Sequence, residues 1–354
     1  MRLTLTGENL MHLPLPFKQS FAQGARALGR LPGMRLVSAP WRGNPVIVGY
    51  HRILPREAWL RYPCLHADLA VTPERFREHM AYWARTASCV SMDAVAVGTL
   101  PNRAVAVGFD DFYSDVACHA LPVLEKYNIP AILYLCTDFV EGDPFLWWYG
   151  VDAAVNSGKA SLDVRFEEWH FFGSLKYAWQ RQNMFRRLSA CCSRLDAPRQ
   201  RAFLDCLGTT AHCRQPGILP TWELVEKLAR HPCITIGAHT LSHGALCSLS
   251  PEESRRQMEQ SRLHIEKHLD MPVHHLAYPF GGHDAAAQRE YVLAAQSGFR
   301  TAVTTERGTN SPDTPLQALH RSIILQEHNT TVLEALNSGW DTVLRAARRK
   351  LAGQ

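Results

Sequence analysis

Seven short apolar segments alternate with helical patterns along most of the chain. Each segment is almost continuously apolar, which is typical of strands in a parallel sheet covered by helices on both faces. About seven such strand–helix units favour closure of the sheet, so the pattern predicts an α/β fold with a distorted barrel. Polar residues follow several segments and should gather at one rim of that barrel. The segments are 45–50, 104–109, 131–135, 233–236, 275–278, 301–304 and 322–325.

The clearest helix between these segments runs from Pro251 to Leu269, with Ser250 as its N-cap and Glu253 at the capping-box position. Residues 140–218 interrupt the alternation, because they are rich in aromatic and basic residues and show no strand pattern. We therefore predict a helical insertion over the rim that carries the polar strand ends.

The two ends of the chain are basic and amphipathic. We predict an N-terminal extension at 1–44 and a C-terminal basic helix at 331–354, on either side of a barrel at 45–330. Such sequence is usually a solvated helix face. Peripheral contact with an anionic membrane surface is the alternative.

Composition excludes several classes of protein. The 354 residues are 46% apolar and 20% charged, the balance of a globular enzyme, and the net charge of +5 is too small for a nucleic-acid footprint. The sequence contains neither an apolar run of about 18 residues nor a recognisable signal peptide. The ten cysteines form no metal-type pairs, which suits reduced thiols. We therefore expect a cytoplasmic protein that binds no nucleic acid.

Two histidines, His239 and His243, are four residues apart. On a helical turn their β-carbons would lie about 5–6 Å apart, so both imidazoles could bind one divalent ion. Because the chain has 17 histidines, a chance spacing is an equally good explanation of this pair alone.

Two aspartates, Asp110 and Asp111, follow the segment that ends at Phe109. Successive side chains of a strand point to opposite faces, so one carboxylate can bind a metal while the other takes a proton. A helix cap is the structural alternative. One carboxylate and two histidines leave coordination positions for water and a substrate oxygen, as metal-assisted hydrolysis requires.

Three motifs in this order resemble those of the polysaccharide deacetylase family, the NodB-homology or carbohydrate esterase family 4 group. The motifs are 109–111, 239–243 and 276–281, and the likeness extends from about Val46 to Leu325. The stretch 299–305 is similar to members encoded with exopolysaccharide assembly machinery, and Tyr50-His51 resembles the poly-N-acetylglucosamine deacetylase branch. The fold that this resemblance implies is a distorted (β/α)7-8 barrel of the NodB type.

The resemblance also implies roles for individual residues. The metal ligands would be Asp111, His239 and His243, with Zn²⁺ as the expected ion, and the general base would be Asp110. The backbone N–H of Phe280 would help hold the oxyanion, and His51 would be the general acid. The reaction would remove acetyl groups from an N-acetylated amino sugar in an exopolysaccharide, or in its oligosaccharide or lipid-linked precursor.

Two positions depart from the family pattern. Phe112 stands where a glycine usually follows the paired aspartates, so the loop there must take a different path. Ala277 stands in place of an arginine that orients the base in many members. That function is either lost or moved, with Arg300 and Arg321 as the candidates.

A third departure concerns the general acid. The late leucine-x-histidine motif of the family is imperfect here, because His328 lies one position too far from Leu325. We prefer His51 over His328, since the end of a strand positions a side chain more firmly than a loop does.

Two other functions stay open at this point. The chain could be a carbohydrate-binding or assembly protein whose site has decayed, although both aspartates and both histidines are retained. It could also be a deformylase of a lipid-linked sugar. Three tryptophans could stack on sugar rings, but packing is the commoner role of large aromatic residues near an insertion. They are Trp147, Trp148 and Trp222.

Overall fold

The structure is a computed structural model that describes residues 24, 27–41, 43–142, 145–210 and 217–351. Parallel strands dominate it. In chain order, the strands of the described residues are β1 Val46–Tyr50, β2 Arg52–Ile53, β3 Ala70–Val71, β4 Ser88–Cys89, β5 Ala104–Phe109, β6 Ala131–Leu135, β7 Ser161–Phe166, β8 Trp169–Ser174, β9 Ile234–Ala238, β10 His275–Ala277, β11 Thr301–Val303 and β12 Ser322–Ile323.

Eight of these strands form one curled sheet with the order β11-β10-β9-β6-β5-β1-β12, and β4 pairs with β5 beside this path. All of its pairs are parallel. A further parallel bridge joins Val303 to Leu319, just before β12, and brings the two edges of the sheet towards each other. The predicted α/β fold with a distorted barrel is confirmed.

Helices connect the strands and cover the outside of the sheet. The α-helices are α1 Pro32–Val37, α2 Pro63–Leu69, α3 Pro73–Thr86, α4 Met92–Val97, α5 Leu121–Tyr127, α6 Asp138–Glu141, α7 Trp147–Val155, α8 Ala178–Cys192, α9 Ala197–Leu207, α10 Trp222–Ala229, α11 Pro251–Leu269, α12 Gln288–Gln296, α13 Thr330–Asn337 and α14 Trp340–Leu351. Helix α11 has the predicted bounds, and the Ser250 side chain accepts a hydrogen bond from the Glu253 N–H.

Shorter helical turns complete the backbone. The 3₁₀ turns are Leu28–Arg30, Ala39–Trp41, Arg56–Arg61, Leu246–Ser248 and Leu316–Ala318. A π-helical turn at Val116–Ala120 leads into α5, which ends at Asn128 in a left-handed conformation. The helical segment between β5 and β6 therefore has an irregular first turn.

Most residues in the strands of the large sheet are apolar because both faces of the sheet are buried. On β1, Val46, Val48 and Tyr50 belong to the large core between sheet and helices, whereas Ile47 belongs to a smaller core with Ala106 of β5. Successive side chains alternate between the two faces of a strand, which accounts for this division. The smaller core fills the inside of the barrel.

Glycines make room for two large side chains inside the barrel. A β-carbon at Gly237 would lie 2.7 Å from Cδ1 of Tyr134, and one at Gly49 would lie 3.2 Å from Cδ of Arg321. Tyr134 and Arg321 are both fully buried. The glycines therefore allow a buried arginine to lie beneath the polar strand ends.

The insertion contains the predicted helices, among them α7, α8 and α9, but it is not purely helical. Strands β7 and β8 form an antiparallel hairpin between α7 and α8. Leu162, Phe166 and Phe171 are buried, and they alternate with exposed residues along the two strands. This two-residue period was present in the sequence but was hard to recognise among so many aromatic residues. The insertion has a hydrophobic core of its own.

The C-terminal segment is also interrupted. Gly339 has a φ of 74° and separates α13 from α14, so the prediction of one continuous helix was wrong here. A β-carbon at Gly339 would lie 2.6 Å from Cβ of Trp41, so the glycine allows close approach of these two segments.

Most of the predicted N-terminal extension, including residues 1–23, lies outside the described residues. None of the helices in the described part of the chain has the length and apolar character to span a bilayer.

Gly237→Ala tests the tight packing inside the barrel. We expect the free energy of unfolding to fall by about 1–3 kcal/mol, because the new methyl group collides with the buried ring of Tyr134. Urea unfolding followed by circular dichroism measures the change. Gly33→Ala is the control: an added β-carbon there meets nothing within 4 Å, so stability should stay the same or rise slightly. Equal stability of the two variants would contradict the packing argument.

Candidate metal centre and active site

Three residues that are remote in sequence meet at the rim formed by the carboxyl ends of the strands. Asp111 follows β5, and His239 and His243 follow β9. The ligand atoms of the three side chains lie within 4.8 Å of one another, and all three side chains are buried. Asp111 Oδ1 is 3.5 Å from Nε2 of His239 and 3.0 Å from Nε2 of His243.

The two histidines converge through a loop and not through the helical turn that their spacing suggested. Thr240 and His243 have φ values of 65° and 60°, in the left-handed region. The two imidazole rings are 4.9 Å apart between centroids. Gln257 of α11 holds the loop by accepting hydrogen bonds from the N–H and the hydroxyl of Ser242. Both imidazoles therefore face one point, as predicted, but a loop positions them and not a helical turn.

The chemistry of this group suits a divalent cation. Asp111 Oδ1 is buried and makes no hydrogen bond among the described residues. Burial opposes ionisation of Asp111, yet the neighbouring imidazoles hold its pKa well below the ordinary value. Nδ1 of His239 donates to the carbonyl of Ala277 at 2.7 Å, which directs Nε2 towards Asp111. One carboxylate and two imidazoles are ligands that Zn²⁺ and similar ions accept.

Asp110 points to a different partner from Asp111. Arg321 donates to both of its carboxylate oxygens, at 2.5 and 2.7 Å, and donates through Nε to the carbonyl of Thr304 at 3.2 Å. Burial opposes ionisation of Asp110, but the charges of Arg321 and the nearby histidines lower its pKa below the ordinary value. An ionised carboxylate held in a fixed orientation can accept a proton.

Of the two arginines considered for the Ala277 position, the structure brings Arg321 to the site. Arg300 directly precedes β11 and therefore lies at the opposite end of the barrel, beside His275 and Asp93. The sequence could not show which of the two arginines reaches the site. That depends on β12, which directly follows Arg321 and pairs with β1.

His51 lies beside the Asp110 carboxylate, with Nε2 3.8 Å from Oδ2. Burial lowers the pKa of His51, while Asp110 and Asp111 oppose this shift. The ring of His328 instead accepts a hydrogen bond from the N–H of Leu325, at 3.2 Å. The structure therefore brings His51 next to Asp110, in agreement with the preference for His51.

Phe280 presents a backbone N–H that makes no hydrogen bond to any described residue. Its φ is 61°, and its carbonyl accepts a hydrogen bond from the hydroxyl of Thr305 at 2.7 Å. Gly281 follows with a φ of 60°, and a β-carbon there would lie 2.6 Å from the backbone nitrogen of Thr305. Close approach of these two loops keeps the Phe280 turn in place.

The loop after the aspartates does take an unusual path, as expected from Phe112. Asp111 and Phe112 have φ values of 64° and 46°, which cost about 1–2 kcal/mol each for residues with a β-carbon. The Phe112 ring is fully buried in the main core. This burial helps to hold a conformation that a glycine would adopt without strain.

A buried clamp, which the sequence analysis missed, holds the other end of this loop. Asp115 accepts hydrogen bonds from Arg52 Nε and the Ile53 N–H, both at 2.8 Å. Arg52 also donates to the hydroxyl of Tyr149 in the insertion, and its guanidinium lies 4.4 Å from the centre of the Tyr113 ring. The only sequence signal was an arginine directly after His51 and a carboxylate four residues after Asp111.

Aromatic residues surround the His243 ring. Phe139 stacks on it at 5.9 Å between ring centroids, while Trp148 and Phe280 meet it edge-on at 5.2 and 4.9 Å. Trp147 in turn stacks on Phe280. The insertion therefore packs directly on the candidate metal centre, through Trp148 on His243 and Trp147 on Phe280.

A cavity of about 400 Å³ lies beside His243, between the insertion and the barrel. Its walls include the aromatic residues Phe145 and Trp147 and the charged residues Asp138 and Arg201. Aromatic faces next to polar groups are suited to sugar rings. Trp222, the third candidate for sugar stacking, stacks instead on His268, with ring centroids 3.8 Å apart.

Comparison with known proteins agrees with this site. The family model described as polysaccharide deacetylase matches residues 97–301, more than half of the chain. The chain belongs to the polysaccharide deacetylase family. This confirms the resemblance drawn from the three motifs, since the match includes the paired aspartates, both histidines and the Phe280 turn.

The individual relatives are more distant. The putative polysaccharide deacetylase YxkH of Bacillus subtilis is 30% identical over 101 residues, which cover 28% of this chain and 35% of YxkH. The match therefore spans about a third of that protein's length.

Two solved structures share the fold over most of this chain. The deacetylase PplD of Streptococcus pyogenes covers 83% of this chain and 98% of its own, at 19% identity and a TM-score of 0.55. IcaB from Ammonifex degensii covers 84% and 98%, at 17% identity and a TM-score of 0.53. At these identities the likeness establishes the fold, and the predicted NodB-type barrel is confirmed.

Arg52→Met tests whether the clamp supports the candidate metal centre. We expect the affinity for Zn²⁺ to fall by about 10–100-fold, because Asp111 loses the support that keeps its loop in the left-handed conformation. Competition with a chromophoric chelator measures the affinity. Arg199→Met is the control, since Arg199 pairs with Glu167 on the surface of the insertion. Unchanged affinity in a folded Arg52→Met protein would show that the clamp is not needed.

Proposed function

We propose that this protein is a metal-dependent hydrolase that removes acetyl groups from N-acetylated amino sugars. The substrate would be an exopolysaccharide or its oligosaccharide or lipid-linked precursor. One observation carries the proposal: the Asp111, His239 and His243 side chains share a buried rim site with Asp110 and with His51. Membership of the polysaccharide deacetylase family supports it.

The metal ligands in this proposal are Asp111, His239 and His243. When bound there, Zn²⁺ or a similar ion would lower the pKa of a coordinated water and polarise the acetamide carbonyl. Asp110 accepts the proton of the attacking water, because Arg321 holds it ionised and aimed at the site.

His51 and Phe280 act on the other atoms of the scissile bond. The N–H of Phe280 stabilises the negative charge that develops on the carbonyl oxygen. Protonated His51 is a stronger acid than a free imidazolium because burial lowers its pKa, and it donates a proton to the leaving nitrogen. The C–N bond then breaks, and acetate and a free amine are released.

The cavity beside His243 supports a glycan substrate. Its aromatic walls provide faces on which sugar rings can stack, and its polar groups can bind hydroxyls. Because the insertion supplies much of this wall, the insertion rather than the barrel would determine which sugars neighbouring the acetylated unit are accepted.

Acetate release from acetylated oligosaccharides by the zinc-loaded protein tests the proposal. We expect Asp110→Asn to lower the rate by about 10²–10⁴, because the base is lost, and His239→Ala to remove metal and most of the activity. Asp163→Asn, on the exposed face of the hairpin, is the control and should keep the wild-type rate. Bound metal without acetate release from any N-acetylated glycan would favour a carbohydrate-binding protein, and release of formate from a formylated sugar would favour a deformylase.

Arg321→Lys tests whether residue 321 acts by orienting the base Asp110 or only by supplying a positive charge. Lysine keeps the positive charge but loses the bidentate contact, so we expect kcat to fall by about tenfold or more with little change in KM. The acid limb of the pH profile should move to higher pH, because the ionised form of Asp110 loses a hydrogen bond and its pKa rises. Arg300→Lys is the matched control and should leave kcat and the pH profile unchanged. Equal effects of the two variants would contradict the positioning role.

A further inference from the structure

Two histidines of α11 face a carboxylate of α6, away from the site described above. Nδ1 of His264 is 3.5 Å from one oxygen of Glu141, and Nε2 of His268 is 3.4 Å from the other. The histidines are four residues apart on a regular helix, so their side chains leave the same face. All three side chains are partly exposed.

These contacts are longer than hydrogen bonds. Nδ1 of His264 is hidden from solvent and has no hydrogen-bond partner among the described residues. The surface pair His170 and Asp163 shows the contrast, since its nitrogen and oxygen are 2.8 Å apart and form a hydrogen bond. Two ligand atoms that each lie about 2.0–2.1 Å from a tetrahedral ion are about 3.3–3.4 Å apart. The two nitrogen–oxygen distances around Glu141 are close to this value, although the ligand atoms of all three side chains do not yet lie within 4.8 Å of one another.

Trp222 gives one of these imidazoles a defined orientation. Its ring stacks on that of His268, with 3.8 Å between ring centroids and 13° between the ring planes. Stacking leaves the edge of the imidazole free and holds its plane, so Nε2 keeps facing Glu141. Such support of a ligand by a neighbouring group is typical of protein metal sites.

We propose that Glu141, His264 and His268 form a second site for a divalent cation of the Zn²⁺ type. Among the described residues, only Asp111, His239 and His243 already have all ligand atoms within 4.8 Å of one another. Binding at the second site therefore requires small rotations of partly exposed side chains, which the surface position allows. Exposure also leaves room for water as the remaining ligand.

The position of this second site suggests a structural role. The N–H of Asp138 in α6 donates to the carbonyl of Leu241 at 3.0 Å, and Gln257 in α11 accepts from the N–H of Ser242 at 3.1 Å. Both helices thus hold the loop that carries His239 and His243. An ion between α6 and α11 would link the two supports of that loop.

Zinc stoichiometry tests the second site independently of any activity. The full-length protein is dialysed against buffered Zn²⁺ at neutral pH, and bound metal is measured by elemental analysis. We expect about two zinc ions per chain in the wild type and about one in Glu141→Gln and in His268→Gln. His239→Ala should also bind about one, because it loses the other site. His170→Gln is the matched control for a surface histidine beside a carboxylate and should bind as many ions as the wild type.

A second measurement distinguishes a metal site from a simple ion pair. Zinc should raise the melting temperature of His239→Ala, which keeps the second site, and should have a smaller effect on the double variant His239→Ala/Glu141→Gln. The proposal is overturned if the wild type binds one zinc ion, if Glu141→Gln binds as many as the wild type, or if zinc stabilises both proteins equally. Glu141, His268 and His170 are partly exposed, whereas His239 is buried, so circular dichroism verifies that every variant folds.

Discussion

The buried ion pair between Arg321 and Asp110 is the interaction on which the site depends. A charge without a partner would be very costly at this depth, so each residue requires the other. The pair holds Asp110 in a fixed orientation beside His51, while Asp111 contacts the histidines. Two adjacent carboxylates thereby acquire different chemistry. The barrel contributes the space: a β-carbon at Gly49 would lie 3.2 Å from Cδ of Arg321, so a larger residue there would crowd the arginine.

Backbone strain is concentrated around this pair. Five site residues without the freedom of glycine have positive φ: Asp111, Phe112, Thr240, His243 and Phe280. Strained conformations persist only where the surroundings hold them. Here the supports are specific, namely the Arg52–Asp115 clamp for the aspartate loop and Gln257 for the histidine loop. The site is therefore built by loops, and the strands fix only where those loops begin.

The insertion is part of the site and not an appendage. Trp148 packs on His243, and Tyr149 accepts a hydrogen bond from Arg52, so the insertion contacts both loops that carry the candidate metal ligands. The proposed zinc site at Glu141 lies at the start of the insertion and would brace the same histidine loop from outside. The barrel, the insertion and α11 thus all contribute contacts that hold this one small site in place.

Much of the fold was predictable because its signals are local. The strands 104–109 and 131–135 and the helix Pro251–Leu269 have the predicted bounds, since an apolar run or an N-cap acts within a few residues. The hairpin Ser161–Ser174 was missed because its alternation is short and lies among other aromatic residues. We could also predict that four residues share one site, because they follow strands in the sequence. They are Asp110, Asp111, His239 and His243.

Only the tertiary structure could assign the partners of these residues. Whether Arg300 or Arg321 reaches Asp110, and whether His51 or His328 does, depends on which strand ends are neighbours across more than 200 residues of chain. The sequence by itself determined which residue types stand at the ends of strands, because the hydrophobic pattern of a strand lies within a few consecutive residues. The tertiary structure decided which of them touch, because contact between remote residues depends on strand order, loop conformation and the space left by glycines.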